Sequence, residues 1–160
     1  MIQRILTITL LVAASFSVLS AAELTTKKAL NLEVAKAIAA ESEAFARQNN
    51  WNVIMTILDD GGNLIYFQRM DGAQIGSIAV SMRKAESALN FKRSTKVFSD
   101  GVASRPQLMA LPGSMAFEGG LPITHDGEVI GAIGVSGVTA QQDGMIGQAG
   151  IDALPKILGE

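Results

Sequence analysis

His125 is the single histidine of the chain. It stands beside Asp126-Gly127, a pair suited to the tip of a two-residue hairpin, so it is expected at a turn and open to solvent. One imidazole is enough to serve as an axial ligand of haem iron. A closed zinc site needs further histidines or cysteines, and the chain has no cysteine. That absence also excludes a thiolate nucleophile and an iron–sulfur cluster. A Ser-His-Asp arrangement needs a serine brought to the imidazole, which no spacing here suggests, and Asp126 at a turn tip is poorly placed to orient its neighbour. Arg69, in Arg69-Met70-Asp71, ends a strand just ahead of a helix. A guanidinium there can clamp a carboxylate, or pair with Asp71, Asp59 or Asp60. Asp59-Asp60 can attract a hard cation but lacks the oxygen count of a calcium loop. Lys84, Lys92 and Arg93 read as the outside of a helix and the loop after it, either a solvated face or a small basic patch. No convincing acid–base pair emerges, which ranks a binding protein above an enzyme.

Gly131, Gly134 and Gly137 recur at every third position of one stretch. They do not make a dinucleotide fingerprint, which has different spacing and sits between a strand and a helix of a βαβ unit. Here the glycines run along the strand itself. Glycine inside a strand marks a place where something comes close to the backbone. A helix pressed on the strand, expected to be the one that Thr139 caps, or a second subunit, explains this better than a ligand does.

These residues need a scaffold, and the N-terminus is not part of it. Met1-Ile2-Gln3-Arg4 is a short basic start, Ile5 to Leu19 is mostly apolar, and Ser20-Ala21-Ala22 supplies small residues. This is the layout of a secretory signal peptide cleaved after Ala22. The apolar run falls short of the roughly 20 residues that a spanning helix needs. The expected product is an exported protein, periplasmic or extracellular, consisting of one domain over 23–160. Losing residues 1–22 removes one arginine and no acid, so the net charge moves from −2 to −3. A nucleic-acid partner, which calls for a basic face, is not expected. With no disulfide available, packing alone must hold the fold.

Thr25 and Thr26 are expected to cap a helix running to about Asn49, with Leu30, Val34, Ile38 and Phe45 on its apolar face. Trp51 to Leu58 reads as a strand buried on both faces, returning through Asp59-Asp60-Gly61-Gly62-Asn63 to a second strand, Leu64 to Met70. Ile75 to Phe91 is helical in pattern, with Ile75, Ile78, Ala79, Met82, Ala85 and Leu89 on the apolar face. The stretch from Phe91 to Pro112 is loop-like apart from a short helix begun at Ser94-Thr95, and long loops in compact domains are often functional. Leu121–Thr124 and Glu128–Val135 form a hairpin about Asp126-Gly127. Thr139, with Gln142 as capping-box partner, starts a last helix that stops at Pro155. The six methionines after Met1 are dispersed and read as core filler. The order is α, ββ, α, loop, ββ, α.

The run Gly119-Gly120-Leu121-Pro122-Ile123, continued by Asp126-Gly127-Glu128-Val129-Ile130-Gly131-Ala132-Ile133-Gly134-Val135-Ser136-Gly137 and then Asp143, resembles the GlcG/HbpS family, also found as the C-terminal domain of PduO-type proteins. Asp59 to Leu64, Arg69 to Ala73, and Lys84-Ala85…Ala88…Phe91…Ser94-Thr95 match further segments in the same order, so the resemblance covers about Thr25 to Leu154. It implies a profilin-like α+β fold, an antiparallel sheet flanked by helices, assembled as a homo-oligomer from dimer to octamer. It implies a small-molecule ligand, with haem or a related tetrapyrrole foremost, and a role in haem handling or redox sensing beside a membrane sensor. On this reading His125, Thr95 or Met70 approaches the metal, and Arg69, Lys84 or Lys92 meets propionates. Many relatives carry a histidine right after the turn glycines, where this chain has Asn63, so His125 is a ligand on a different hairpin. Two alternatives stand beside it. One is an accessory protein or enzyme of glycolate, corrinoid or haem metabolism; the other is a cofactor-free interaction module for a membrane partner.

Overall fold

The computed structural model describes residues 22–160; the segment read as a signal peptide lies, but for Ala22, outside the described residues. Helix α1 (Leu32–Gln48) is followed by strands β1 (Ile54–Asp59) and β2 (Leu64–Arg69) and helix α2 (Ser77–Phe91). A short helix α3 (Lys96–Gly101) and a 3-10 turn (Pro106–Ala110) lead to strands β3 (Gly120–His125) and β4 (Glu128–Ser136). Helices α4 (Ala140–Asp152) and α5 (Leu154–Leu158) close the chain. The strands form one antiparallel sheet in the order β2-β1-β4-β3. This is the expected α+β sheet flanked by helices.

The two faces of the sheet are packed differently. On one, Met55, Ile57, Ile133 and Val135 meet Ile38 of α1 and Ile146 of α4 in a dense aliphatic core. On the other lies α2, whose buried positions are Ser77, Ser81, Lys84, Ala85, Ser87 and Ala88. Small side chains let this helix sit close. A Cβ at Gly134 would lie 2.0 Å from the Ser81 carbonyl oxygen and 2.5 Å from the Ala85 nitrogen. A hydrogen bond of 2.9 Å between the Thr56 and Ser81 hydroxyls fastens helix to sheet. Gly134 is thus kept bare for α2 rather than for the helix that Thr139 caps, whereas a Cβ at Gly131 would meet the Leu58 carbonyl oxygen and Leu30, and one at Gly137 the Asn52 carbonyl oxygen and Val53.

This close approach corrects the apolar face expected for α2. Ile75 is 72% exposed and Ala79 is exposed, while the serines and Lys84 face inward. Periodicity favours the stripe with most aliphatic surface, but the sheet opposite offers no room for it. Lys84 therefore lies inside rather than outside.

The ends of elements differ in smaller ways. Asn31, not Thr25 or Thr26, caps α1, its side-chain oxygen accepting the Val34 N–H at 2.9 Å. Leu30 before it is fixed to β4 by its N–H bond to the Ile130 carbonyl (3.1 Å), which leaves no room for an earlier helical turn. Pro155 does not end a helix but begins α5, since its missing N–H costs nothing in a first turn. The Thr139–Gln142 capping box is present, and Asp126 and Gly127 have φ of 49° and 79°, as a two-residue hairpin turn requires.

Candidate functional site

Lys84 and Asp143 are the only oppositely charged side chains among the described residues that pair inside the protein, at 2% and 3% exposure. Lys84 comes from the sheet-facing side of α2; Asp143 comes from the first turn of α4, where an acid suits the helix dipole. The Lys84 ammonium donates to Asp143 Oδ2 at 2.7 Å and to the Val135 carbonyl at 2.9 Å. Asp143 Oδ1 accepts the Val138 N–H at 3.1 Å. Burial pulls the Lys84 pKa below its ordinary value, against the pull of Asp143. Burial likewise pushes the Asp143 pKa up, against Lys84. Both directions bring the neutral pair closer in energy to the ion pair than it is in water. The pair forms part of the wall of a cleft of about 490 Å³, with Ser77, Ser136, Val138 and Phe117 around it.

The other sequence-derived candidates are scattered. His125 ends β3 with its side chain 15% exposed, less open than its place by the turn suggested. Its Nε2 is 3.3 Å from Asp126 Oδ2 and 3.7 Å from Glu160 Oε1, so Asp126 does face it. The imidazole borders two clefts. One, of about 300 Å³, has walls of Leu30, Val34, Ile130 and Leu158 with Lys28 also lining it. Lys92, exposed at the left-handed end of α2 with φ of 50°, lines a separate cleft of about 520 Å³ with Lys27, Lys28, Leu89 and the Gly61-Gly62 turn. In that turn Asp59 Oδ1 accepts the backbone N–H groups of Gly61 (2.9 Å) and Asn63 (2.8 Å).

Arg69 pairs with none of the three aspartates considered for it; it donates twice to the Ala73 carbonyl, at 3.0 and 2.9 Å. Met70 is 4% exposed and belongs to the aliphatic core. Thr95 is fully buried, and its Oγ1 accepts the Gly120 N–H at 2.9 Å. Thr95 and Met70 reach a ligand only if the packing around them opens. Among the described residues, neither cleft at His125 is lined by Thr95, Met70 or Lys84; His125 shares its apolar cleft with Lys28. Asp143 belongs to the family motif, and the sequence alone assigns it no role. The signal was there: an acid beside a capping box, with no exposed partner near in sequence.

Among the described residues no group of three or more histidine, cysteine, aspartate or glutamate side chains could hold a metal ion. Among the described residues no helix is long and apolar enough to cross a membrane.

Residues 30–152 match the family model described as "Haem degrading protein HbpS-like". Protein GlcG of Escherichia coli K12 is 38% identical over 112 residues, covering 69% of this chain and 84% of GlcG. The crystal structure of HbpS superposes with a TM-score of 0.76 at 31% identity, covering 82% of this chain and 94% of that one. The crystal structure of a PduOC–haem complex superposes with a TM-score of 0.70 at 28% identity, covering 78% and 94%. Full-length PduO of Salmonella typhimurium, a corrinoid adenosyltransferase, is matched over 34% of its length. With the family model spanning sheet and helices alike, and the same fold in HbpS, the chain belongs to the HbpS-like family.

Proposed function

We propose that this protein is an exported, non-enzymatic binding protein for haem or a related tetrapyrrole, acting in haem handling or redox sensing. The observation that carries the reading is its likeness to a relative solved in complex with haem. Family membership and the basic–apolar–small layout of residues 1–22 support it further.

The donor set fits this group better than a bare ion. Haem iron is held mainly by its porphyrin and needs one protein ligand, whereas no cluster of ligating side chains is present among the described residues. His125 is the candidate ligand because its imidazole borders an apolar cleft, and imidazole ligates iron in its neutral form. Leu30, Val34, Ile130 and Leu158 supply the apolar contact that a porphyrin ring prefers. Lys28 lines that cleft and is the cation at hand for a propionate, although it already meets Asp126 at 2.5 Å; Lys92, with no ion pair among the described residues, lines the separate cleft that Lys28 also borders. When bound, haem supplies the iron centre; the chain's own residues bind, orient and shield it.

A homo-oligomer, and a membrane sensor as partner, belong to the same proposal. Leu64 and Phe67, exposed on the edge strand β2, offer a surface for assembly.

The test is a hemin titration of the protein lacking residues 1–22, followed at the Soret band, for the unaltered chain and for His125→Ala, Thr95→Ala and Met70→Ala. A saturable shift that His125→Ala abolishes supports the assignment. A shift unchanged in His125→Ala removes His125 as the ligand, and no saturable shift removes haem.

A further inference from the structure

The cleft over Lys84 and Asp143 has more hydrogen-bonding capacity than the fold consumes. An ammonium carries three donors. Lys84 spends one on Val135 and one on Asp143, and the third has no partner among the described residues. Ser77 is 1% exposed, and its hydroxyl oxygen accepts from Gln74 Nε2 and from Ser136 Oγ, both at 3.1 Å. Its own proton then has no acceptor among the described residues. The Ser136 hydroxyl accepts nothing there, and Asp143 Oδ2 keeps a lone pair beyond the bond from Lys84. Each of these groups has at least one partner, as buried polar groups nearly always do. The capacity left over, two donors and two acceptors on the wall of one cleft, suits a ligand that both gives and takes hydrogen bonds.

We infer that this cleft binds a small neutral polyhydroxylated compound, between glycerol and a monosaccharide in size. A hydroxyl donates and accepts at once, which matches this wall. Lys84 and Asp143 cancel each other's charge, so the wall offers no net attraction to offset the cost of desolvating an added anion or cation, a cost that a neutral hydroxyl compound does not carry. Phe117, 58% exposed, and the neighbouring Val80 and Val138 offer an apolar surface for the C–H face of such a molecule. The cleft, about 490 Å³, lies within the range of about 300–1,000 Å³ usual for small-molecule sites. It shares no residue with the clefts at His125, so this site and haem binding stand or fall separately.

The experiment is a titration of glycerol and of glucose into the protein lacking residues 1–22, followed by amide chemical shifts. Saturable shifts are expected at Val80, Val138 and Ala140, with gluconate and glucosamine binding about tenfold more weakly than glucose. Ser77→Ala and Phe117→Ala leave the Lys84–Asp143 pair in place and are expected to weaken binding about fivefold each without unfolding the protein. The inference is overturned by no saturable shift with either neutral probe. It is equally overturned if a charged counterpart binds as tightly as glucose, or if either variant keeps the original affinity.

Discussion

Replacing Lys84 by methionine strands the Asp143 carboxylate in a place with 3% exposure. Breaking one side of a buried pair costs about 3–5 kcal/mol, whereas removing both sides together is far cheaper. Urea unfolding is expected to show Lys84→Met losing about that much, and Lys84→Met/Asp143→Leu losing less than the single change. A double variant as unstable as the sum of its singles contradicts the ion pair. Asp59 gives a second test at this scale. Hydrogen bonds, first from the Asn63 side chain, hold its carboxyl below the ordinary value of 3.8. A depressed carboxylate stabilises the fold above its unfolded value, and that contribution is lost as pH falls through the folded value. Melting temperatures taken at neutral pH and below 3.8 are expected to drop less in Asn63→Ala than in the unaltered protein. An equal drop rejects Asn63 as the cause. Sequence alone placed Asp59 and Asn63 in a turn but not in this mutual lock. It also placed Lys84 outside, because nothing local shows that its neighbours across the sheet are glycine and backbone.

Helix α2 and strand β4 show how an element's address is written in its partner. The strand's glycines pointed to a close-packed helix, and at Gly134 one is there; which helix was not legible, because the clue lay in the serines and alanines of α2 rather than in its isoleucines. Gly134→Ala drives a Cβ into the backbone of α2 and is expected to cost the upper part of about 1–3 kcal/mol or more. Gly127→Ala at the hairpin tip has open space around it and suffers only its positive φ of 79°, worth about 1–2 kcal/mol. Chemical denaturation of the two variants checks the order, and a larger loss at Gly127 contradicts the packing described. The capping box at α4 and the Asp126-Gly127 turn were readable because their chemistry is local. The start of α1 was not, because Leu30 is held by a strand a hundred residues away in sequence.

At the scale of the whole molecule, the order of elements, the antiparallel sheet and the family were all legible, since each rests on periodicity or on long ordered motifs. The convergence of site residues was not, because folding puts His125 on one edge strand of the sheet, Met70 just past the other edge strand, and Lys84 on the helix that covers one face. Export is tested by the mass of the protein recovered outside the cytoplasm: a chain beginning at Glu23 is expected, and one beginning at Met1 opposes a cleaved signal. Assembly is tested by light scattering, where a monomer at all concentrations opposes an oligomer. The central claim is that the fold carries a tetrapyrrole. Hemin added to the protein lacking residues 1–22 is expected to give a shifted Soret band that saturates at a fixed ratio of hemin to protein. A band that grows in proportion to added hemin, with no break and no shift from free hemin, contradicts it.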